Sequence, residues 1–481
     1  MTTVGLASVS SAPVQAGPTK CGQAGTGVER VLDCVTLKGV MKHQKVFAEI
    51  AAANGGTRAS GTPGYDASAD YVAQRLTKAG YVVSRQQFDF FVFEEVGPSA
   101  LQQTAPNQVT YTEHTDFEAT PHSERGDVTD SVTPVDIQLG LGNTSTSGCE
   151  ASDFAGFPAG NIALIQRGVC TFEIKAENAA AAGASAVVFF NQGNTSDPSR
   201  QGIPAVTLGN GYTGGLPAVS TTYALGAQLS AISGLVMRVF ANVSRVPGVT
   251  ENVIAESPGG DPNNVIMAGA HLDSVAEGPG INDNGSGSSG LLATAEALAG
   301  KNLTNKVRFA WWGAEESGLV GSTHYVTTLT PTQRADIELY LNFDMIGSPN
   351  YGLFIYDGDG SGFGLTGPDG SDEIEGLFEQ YYADVADVPS EPTAFTGRSD
   401  YQAFINNGIP SGGLFTGAEV PKTEAQVAKW GGTAGLAYDP CYHSVCDGLD
   451  NLSLEALRIN ADAVAYAVYL YASGEEVINA P

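Results

Sequence analysis

The chain has 481 residues, a hydrophobic fraction of 42% and a charged fraction of 16%, enough apolar material for two or three packed cores and too much for a disordered chain. Its 52 acidic and 23 basic residues give a net charge of −29, a field that repels nucleic acid and anionic membranes and attracts cations and free amino groups. No run of 18 apolar residues occurs, so no membrane-spanning helix is predicted.

Residues 1–16 are small and apolar, lack Lys and Arg, and end in Val14-Gln15-Ala16. They fit either the stump of a signal peptide or a mature tail behind an initiator Met. The six cysteines fall as three local couples, Cys21/Cys34, Cys149/Cys170 and Cys441/Cys446, separated by 13, 21 and 5 residues. With no C-x-x-C pattern, three short-range disulfides in an oxidising, extracellular compartment are expected.

Residues 35–90 read as helix, turn, helix, strand. Apolar positions recur at helical spacing over Val35–Ala53. Arg58-Ala59-Ser60-Gly61-Thr62-Pro63-Gly64 is a turn cluster, Ala67–Ala79 a second amphipathic helix with Gly80 as its C-cap, and Tyr81 opens a strand. From about 95 to 245, strand-like runs alternate with Gly, Asn, Thr and Ser. Asn161–Ile165 and Ala184–Phe190 are predicted strands, Glu173–Gly183 is a predicted helix, and Ile203–Val206 and Leu216–Val219 resemble strand starts. This block has its own apolar segments and its own cysteine couple, which predicts an inserted domain. From about 250 onward, strands at Asn264–Ala270, Val307–Trp312, Leu339–Phe343 and Leu353–Tyr356 alternate with helices at Ser288–Ala299, Asp372–Val385 and Leu454–Ala472. That alternation predicts an α/β domain with a mixed, largely parallel central sheet, whose ligands sit beyond the carboxyl ends of the strands.

Four segments place acids or a histidine directly at such strand ends: Ala270-His271-Leu272-Asp273, Ile281-Asn282-Asp283-Asn284-Gly285, Gly313-Ala314-Glu315-Glu316-Ser317-Gly318 and Asn342-Phe343-Asp344-Met345. Alone, each has a plain structural explanation. A His after a strand is most often structural, Asp283 fits a helix N-cap, and Glu-Glu is usually solvated. Together they make a carboxylate cluster that repels itself unless cations neutralise it. Imidazole with carboxylate suits zinc, and two metals sharing a carboxylate make a hydrolytic centre. Spacing alone does not say which of Glu315 and Glu316 would bind metal. A fifth segment, Tyr438-Asp439-Pro440-Cys441-Tyr442-His443-Ser444-Val445-Cys446-Asp447, would hold Tyr442 and His443 in a small stapled loop. His43, His114, His122 and His324 lack this setting and are expected to be non-catalytic.

These segments, with Gly397-Arg398-Ser399-Asp400-Tyr401 and Gly412-Gly413-Leu414-Phe415-Thr416-Gly417, resemble in content and order the zinc aminopeptidases of peptidase family M28, in particular the secreted Streptomyces-type leucine aminopeptidases. The stretch 125–245 resembles a protease-associated (PA) domain through Gly148-Cys149, Ile165-Gln166-Arg167-Gly168-Val169-Cys170-Thr171-Phe172 and Lys175–Ala184. The resemblance implies a tail over 1–34, the N-terminal part of the peptidase domain over 35–124, a β-rich α+β PA insertion over 125–245 and the zinc peptidase domain over 246–481. It implies two zinc ions per chain, one on His271 and Asp344, the other on Glu316 and His443, with Asp283 as the bridge. Glu315 would then be the general base, Asp273 the acid orienting His271, and Tyr442 a donor to the oxyanion. Glu315, Asp344 and the backbone carbonyl of Arg398 would meet the free amino terminus of a peptide substrate, and Phe415 would line an apolar side-chain pocket favouring Leu-like residues. A secreted monomer is expected. Some relatives respond to calcium, for which no site can be placed here. A one-zinc glutaminyl cyclase of related fold, a carboxypeptidase of the same clan and a non-catalytic scaffold are the alternatives. The intact two-metal set argues against the first and the last.

Overall fold

Apolar residues on both faces of one strand dictate how the catalytic part is layered. In Asp261–His271, Ile266, Ala268 and Ala270 point to one core, while Met267 points to another. Phe309 and Trp311 face the first core, and Ala310 and Trp312 face the second. Such a sheet needs cover on both sides. Helices Leu37–Ala53, Pro63–Ala79, Gly285–Leu298 and Leu454–Ser473 supply it on one face, and Val320–Thr328 with Tyr401–Ile405 on the other.

The computed structural model describes residues 27–204 and 206–478. The signal-peptide question over 1–16 and the Cys21–Cys34 pairing lie outside the described residues. By its contacts the chain forms two units: residues up to Phe88 with those from Glu251 onward, and Asp89–Thr250. In the first, strands Asp261–His271, Asn305–Trp312, Ile337–Phe343 and Ser411–Phe415 run parallel. Val243–Glu256 pairs antiparallel to Asn305–Trp312, and Phe354–Tyr356 antiparallel to Ser411–Phe415. The eight-stranded sheet is thus mixed and largely parallel around its centre. His271 lies level with Trp312, and Phe343 with Leu414, so the parallel strands end together on one edge.

Helix Pro63–Ala79 begins a turn earlier than Ala67. The Thr62 side chain accepts the Tyr65 N–H and Pro63 occupies the first helical turn, a start that apolar periodicity does not register. Gly80 ends it in the left-handed conformation, φ +95°.

The second unit holds another eight-stranded sheet. Its parallel strands Gly126–Val135, Ile162–Gln166, Ala186–Phe190 and Ala218–Thr221 accompany helices Phe172–Ala181 and Tyr223–Ser230 and the Cys149–Cys170 disulfide. Residues 89–124 group with this unit and not with the peptidase part, because Ala100–Ala105 pairs with Val236–Ala241 and Phe117–Ala119 with Ala218–Thr221. Ala218 does open a strand. Among the described residues of 203–206 none is in a strand; Pro204 brings no N–H to a ladder. No helix among the described residues is long and apolar enough to cross a membrane.

Candidate metal centre

The turns that leave the parallel strands bring His271, Asp283, Glu315, Glu316 and Asp344 into one pocket, and the Cys441–Cys446 loop adds His443 and Tyr442. His271 Nε2 is 3.2 Å from Asp283 Oδ1 and 3.3 Å from Asp344 Oδ1. His443 Nε2 is 3.3 Å from Asp283 Oδ2 and 3.1 Å from Glu316 Oε2. The Asp283 carboxylate therefore turns one oxygen to each imidazole. The helix that follows is capped by the neighbour: the Asn284 side chain accepts the Gly287 N–H, which leaves Asp283 free of the capping role.

Burial and charge oppose one another throughout this cluster. Burial disfavours the charged form of Asp283, yet the two imidazoles hold its carboxyl well below the usual range. Burial also works against a charged His271, but Asp344 and Glu315 raise it well above an ordinary histidine. His443 is likewise pushed up to about 11, against burial, by Glu316 and Asp283. Burial lifts Glu315 well above the carboxylate range, and burial with the Asp283 charge lifts Glu316 to about 7. A set of buried carboxylates gathered around two imidazoles is the arrangement a divalent cation satisfies. One atom tests the fit directly: Glu316 Oε1 is buried with no hydrogen-bond partner. Single ligand atoms of His271, Asp283 and Glu316, and separately of His271, Glu315 and Asp344, lie close enough together to hold an ion. The residues present fit zinc.

Residues 252–468 match the Peptidase family M28 and residues 129–229 the PA domain. An aminopeptidase of Pseudomonas aeruginosa is 56% identical over 446 residues, 93% of this chain and 83% of that protein. The chain belongs to peptidase family M28. A probable leucine aminopeptidase 2 of Aspergillus fumigatus is 44% identical over 88% of this chain and 80% of its own length. Among solved structures, an aminopeptidase from Aneurinibacillus sp. strain AM-1 superposes with a TM-score of 0.71 at 28% identity, covering 94% of this chain and 98% of that one. A zinc aminopeptidase from Bacillus subtilis does so at 0.57 and 26%, covering 90% and 94%.

In this M28 aminopeptidase the pocket measures about 210 Å³. Met345, Tyr356, Tyr401, Phe415, Ala418 and Val420 give it an apolar wall beside the acidic floor. Phe415 lies in that wall. Arg398 is at the exposed rim, where its guanidinium donates to Glu419 Oε1 at 2.8 Å and to the Tyr442 hydroxyl at 3.1 Å. The Tyr442 ring stacks on His443 with centroids 3.8 Å apart. Asp273 sits beneath His271, its backbone carbonyl 3.1 Å and its Oδ1 3.6 Å from Nδ1, and Oδ1 also accepts the Glu315 N–H at 3.2 Å.

Several supporting residues of the M28 site escaped the sequence reading. Asp447 accepts the backbone N–H groups of Asn282 and Asp283 at 2.9 and 3.0 Å, tying the stapled loop to the Asp283 segment. Asn451 donates to both Asp439 and Asp447. Ser399 donates its hydroxyl to Asp344 Oδ2 at 2.7 Å and accepts from Asn342. Asp447 and Ser399 stand inside motifs quoted for other residues. Nothing in their local pattern marks the contacts of Asp447 with Asn282 or of Ser399 with Asp344, which join positions 165 and 55 residues apart.

Proposed function

We propose that the chain is a secreted exopeptidase that removes apolar, Leu-like residues from the free amino terminus of peptides with the help of two zinc ions. The observation that carries this is the Asp283 carboxylate, which offers one oxygen to the His271 side and the other to the His443 side. His271, Asp283 and Asp344 would hold one ion, and His443, Glu316 and Asp283 the other. When bound, the two ions make a water acidic near neutral pH and polarise a carbonyl.

The protein groups do the rest. Glu315 is in the same pocket but outside both ligand triplets in this assignment, so its carboxylate takes the proton of the attacking water and returns it to the leaving amine. Tyr442 donates its hydroxyl to the developing oxyanion. Asp273 holds His271 from behind. Glu315, Asp344 and the Arg398 carbonyl receive the ammonium group, which restricts cleavage to free amino termini. The apolar wall around Phe415 takes the first side chain, and such a pocket separates substrates by only about 1–3 kcal/mol per methylene, so preference is broad. Secretion is supported by two disulfides among the described residues, bonds that persist in oxidising compartments.

The test pairs metal content with turnover. The protein should hold two zinc ions per chain and hydrolyse a Leu anilide while leaving the acetyl-Leu anilide intact. Glu315→Ala should retain both ions and lose about 10²–10⁴ in kcat. Hydrolysis of the acetylated substrate at a comparable rate, or a single zinc per chain, would overturn the proposal.

A further inference from the structure

The turn cluster 57–60 has no place in the reaction described above, and it lies outside the stretch that matches the peptidase family. Its hydrogen bonds to distant parts of the chain, however, reach the loops that carry the ligands. Arg58 is completely buried and its guanidinium donates to three backbone carbonyls: Leu272, next to His271, and Pro279 and Gly280, on the way to Asp283. The Pro279 bond is 2.9 Å and the Gly280 bond 2.5 Å. The Arg58 N–H donates to Ser274 Oγ at 2.9 Å, and the Thr57 hydroxyl to the Val275 carbonyl at 2.8 Å. Two residues on, Ser60 Oγ accepts the N–H of Ala314 at 2.7 Å, immediately before Glu315 and Glu316. The turn is held tight from its other side, since a Cβ on Gly64 would come within 2.1 Å of the Thr57 carbonyl.

A fully buried guanidinium is costly, several kcal/mol per ion even after relaxation. Here the balancing charges are Asp273, Asp447 and Asp283, the acids of the site itself, so the cation also offsets part of the cluster's negative field. The planar fork reaches three carbonyls on two loops at once, which a single ammonium does not.

We propose that Thr57–Ser60 is a brace for the metal centre, in which Arg58 is the positioning residue that sets the separation of the His271 and Asp283 loops and Ser60 steadies the Glu315–Glu316 loop. The inference rests on the two-zinc reading. It assigns to the segment before the inserted domain a share in metal affinity and in kcat, beyond its share in the core.

The test compares wild type, Arg58→Gln, Arg58→Lys and Ser60→Ala, each as the full chain. Zinc affinity is measured by competition with a chelator, kcat and KM on a Leu anilide, and thermal unfolding on the metal-free proteins. Arg58→Gln should raise the zinc dissociation constant about 10–100-fold and lower kcat with KM little changed. Arg58→Lys should recover part of both. If metal-free Arg58→Gln merely melts earlier while holding zinc as tightly as wild type, the brace assignment is overturned. Should Arg58→Gln fail to fold, Ser60→Ala decides. A drop in zinc affinity or kcat at unchanged metal-free stability supports the brace, and wild-type values in both overturn it. A wild-type protein that holds no zinc sinks the two-zinc reading instead, which keeps the two failures apart.

Discussion

Three residues beside the metal-centre acids stand in a backbone region that side chains avoid: Ala314 at φ +53°, Met345 at +49° and His443 at +53°. Each such residue costs on the order of 1–3 kcal/mol, and the surroundings hold it in place. The Ala314 N–H is taken by Ser60, and that of Met345 by Asn284 at 3.1 Å. At Ala314 and Met345 the strain sits where the chain leaves a strand and aims an acid into the pocket, and at His443 it sits in the stapled loop. Ser399 shows how closely the acids are held. Its hydroxyl fixes Asp344 Oδ2, so Ser399→Ala should weaken zinc retention about tenfold and lower kcat, with the fold intact. Equal zinc retention in a chelator titration would show that the hydroxyl is dispensable. His271, Glu316 and Asp344 are legible as a group because each closely follows an apolar strand, and Asp283 because it opens the next helix beside glycines. Arg58 is not, because its partners Leu272 and Gly280 lie more than 200 positions away and nothing near Arg58 announces them.

At the scale of elements, helix Leu37–Ala53 carries a titratable group inside the core. His43 is 2% exposed and its Nδ1 lies 2.7 Å from the Tyr71 hydroxyl. Burial, with the nearby charges of Arg75 and Lys42, lowers its pKa from 6.5 to about 3. The unfolded chain takes up that proton near 6.5, the folded chain only near 3. The contribution to stability is therefore complete above pH 6.5 and is lost as pH falls toward 3, by up to about 1.4 kcal/mol per pH unit. His43→Gln should flatten the fall in urea midpoint between pH 7 and 4.5 relative to wild type; parallel curves would refute the assignment. The helices themselves were readable from periodicity and from Gly80. The early start at Pro63 was missed because a start set by Thr62 and Pro63 is a matter of caps and not of apolar spacing.

For the whole molecule, the division of labour predicts an uneven response to metal removal. A ligand at 100 times its dissociation constant adds about 2.7 kcal/mol to the state that binds it. Stripping zinc should therefore raise hydrogen exchange over 271–283, 313–318, 342–346 and 439–447, and leave the second sheet, within 100–241, unchanged. A uniform rise across both units would mean that the metal stabilises something other than this pocket. The α/β class and the presence of an insertion were legible from alternating strands and helices. The edge of the insertion was not, since 89–124 has no pattern of its own that reveals pairing with strands more than 100 residues later.

The brace at 57–60, the acids at 271–344 and the loop at 439–447 lie far apart in the sequence. A ribosome must pass residue 447 before both His443 and Asp447 can meet the Asp283 segment. Any product that stops short of residue 443 keeps the strands and most of the acids, yet lacks the imidazole that faces the second oxygen of Asp283. On the proposed ligand assignment, a growing chain that has not reached His443 therefore carries no finished peptidase site.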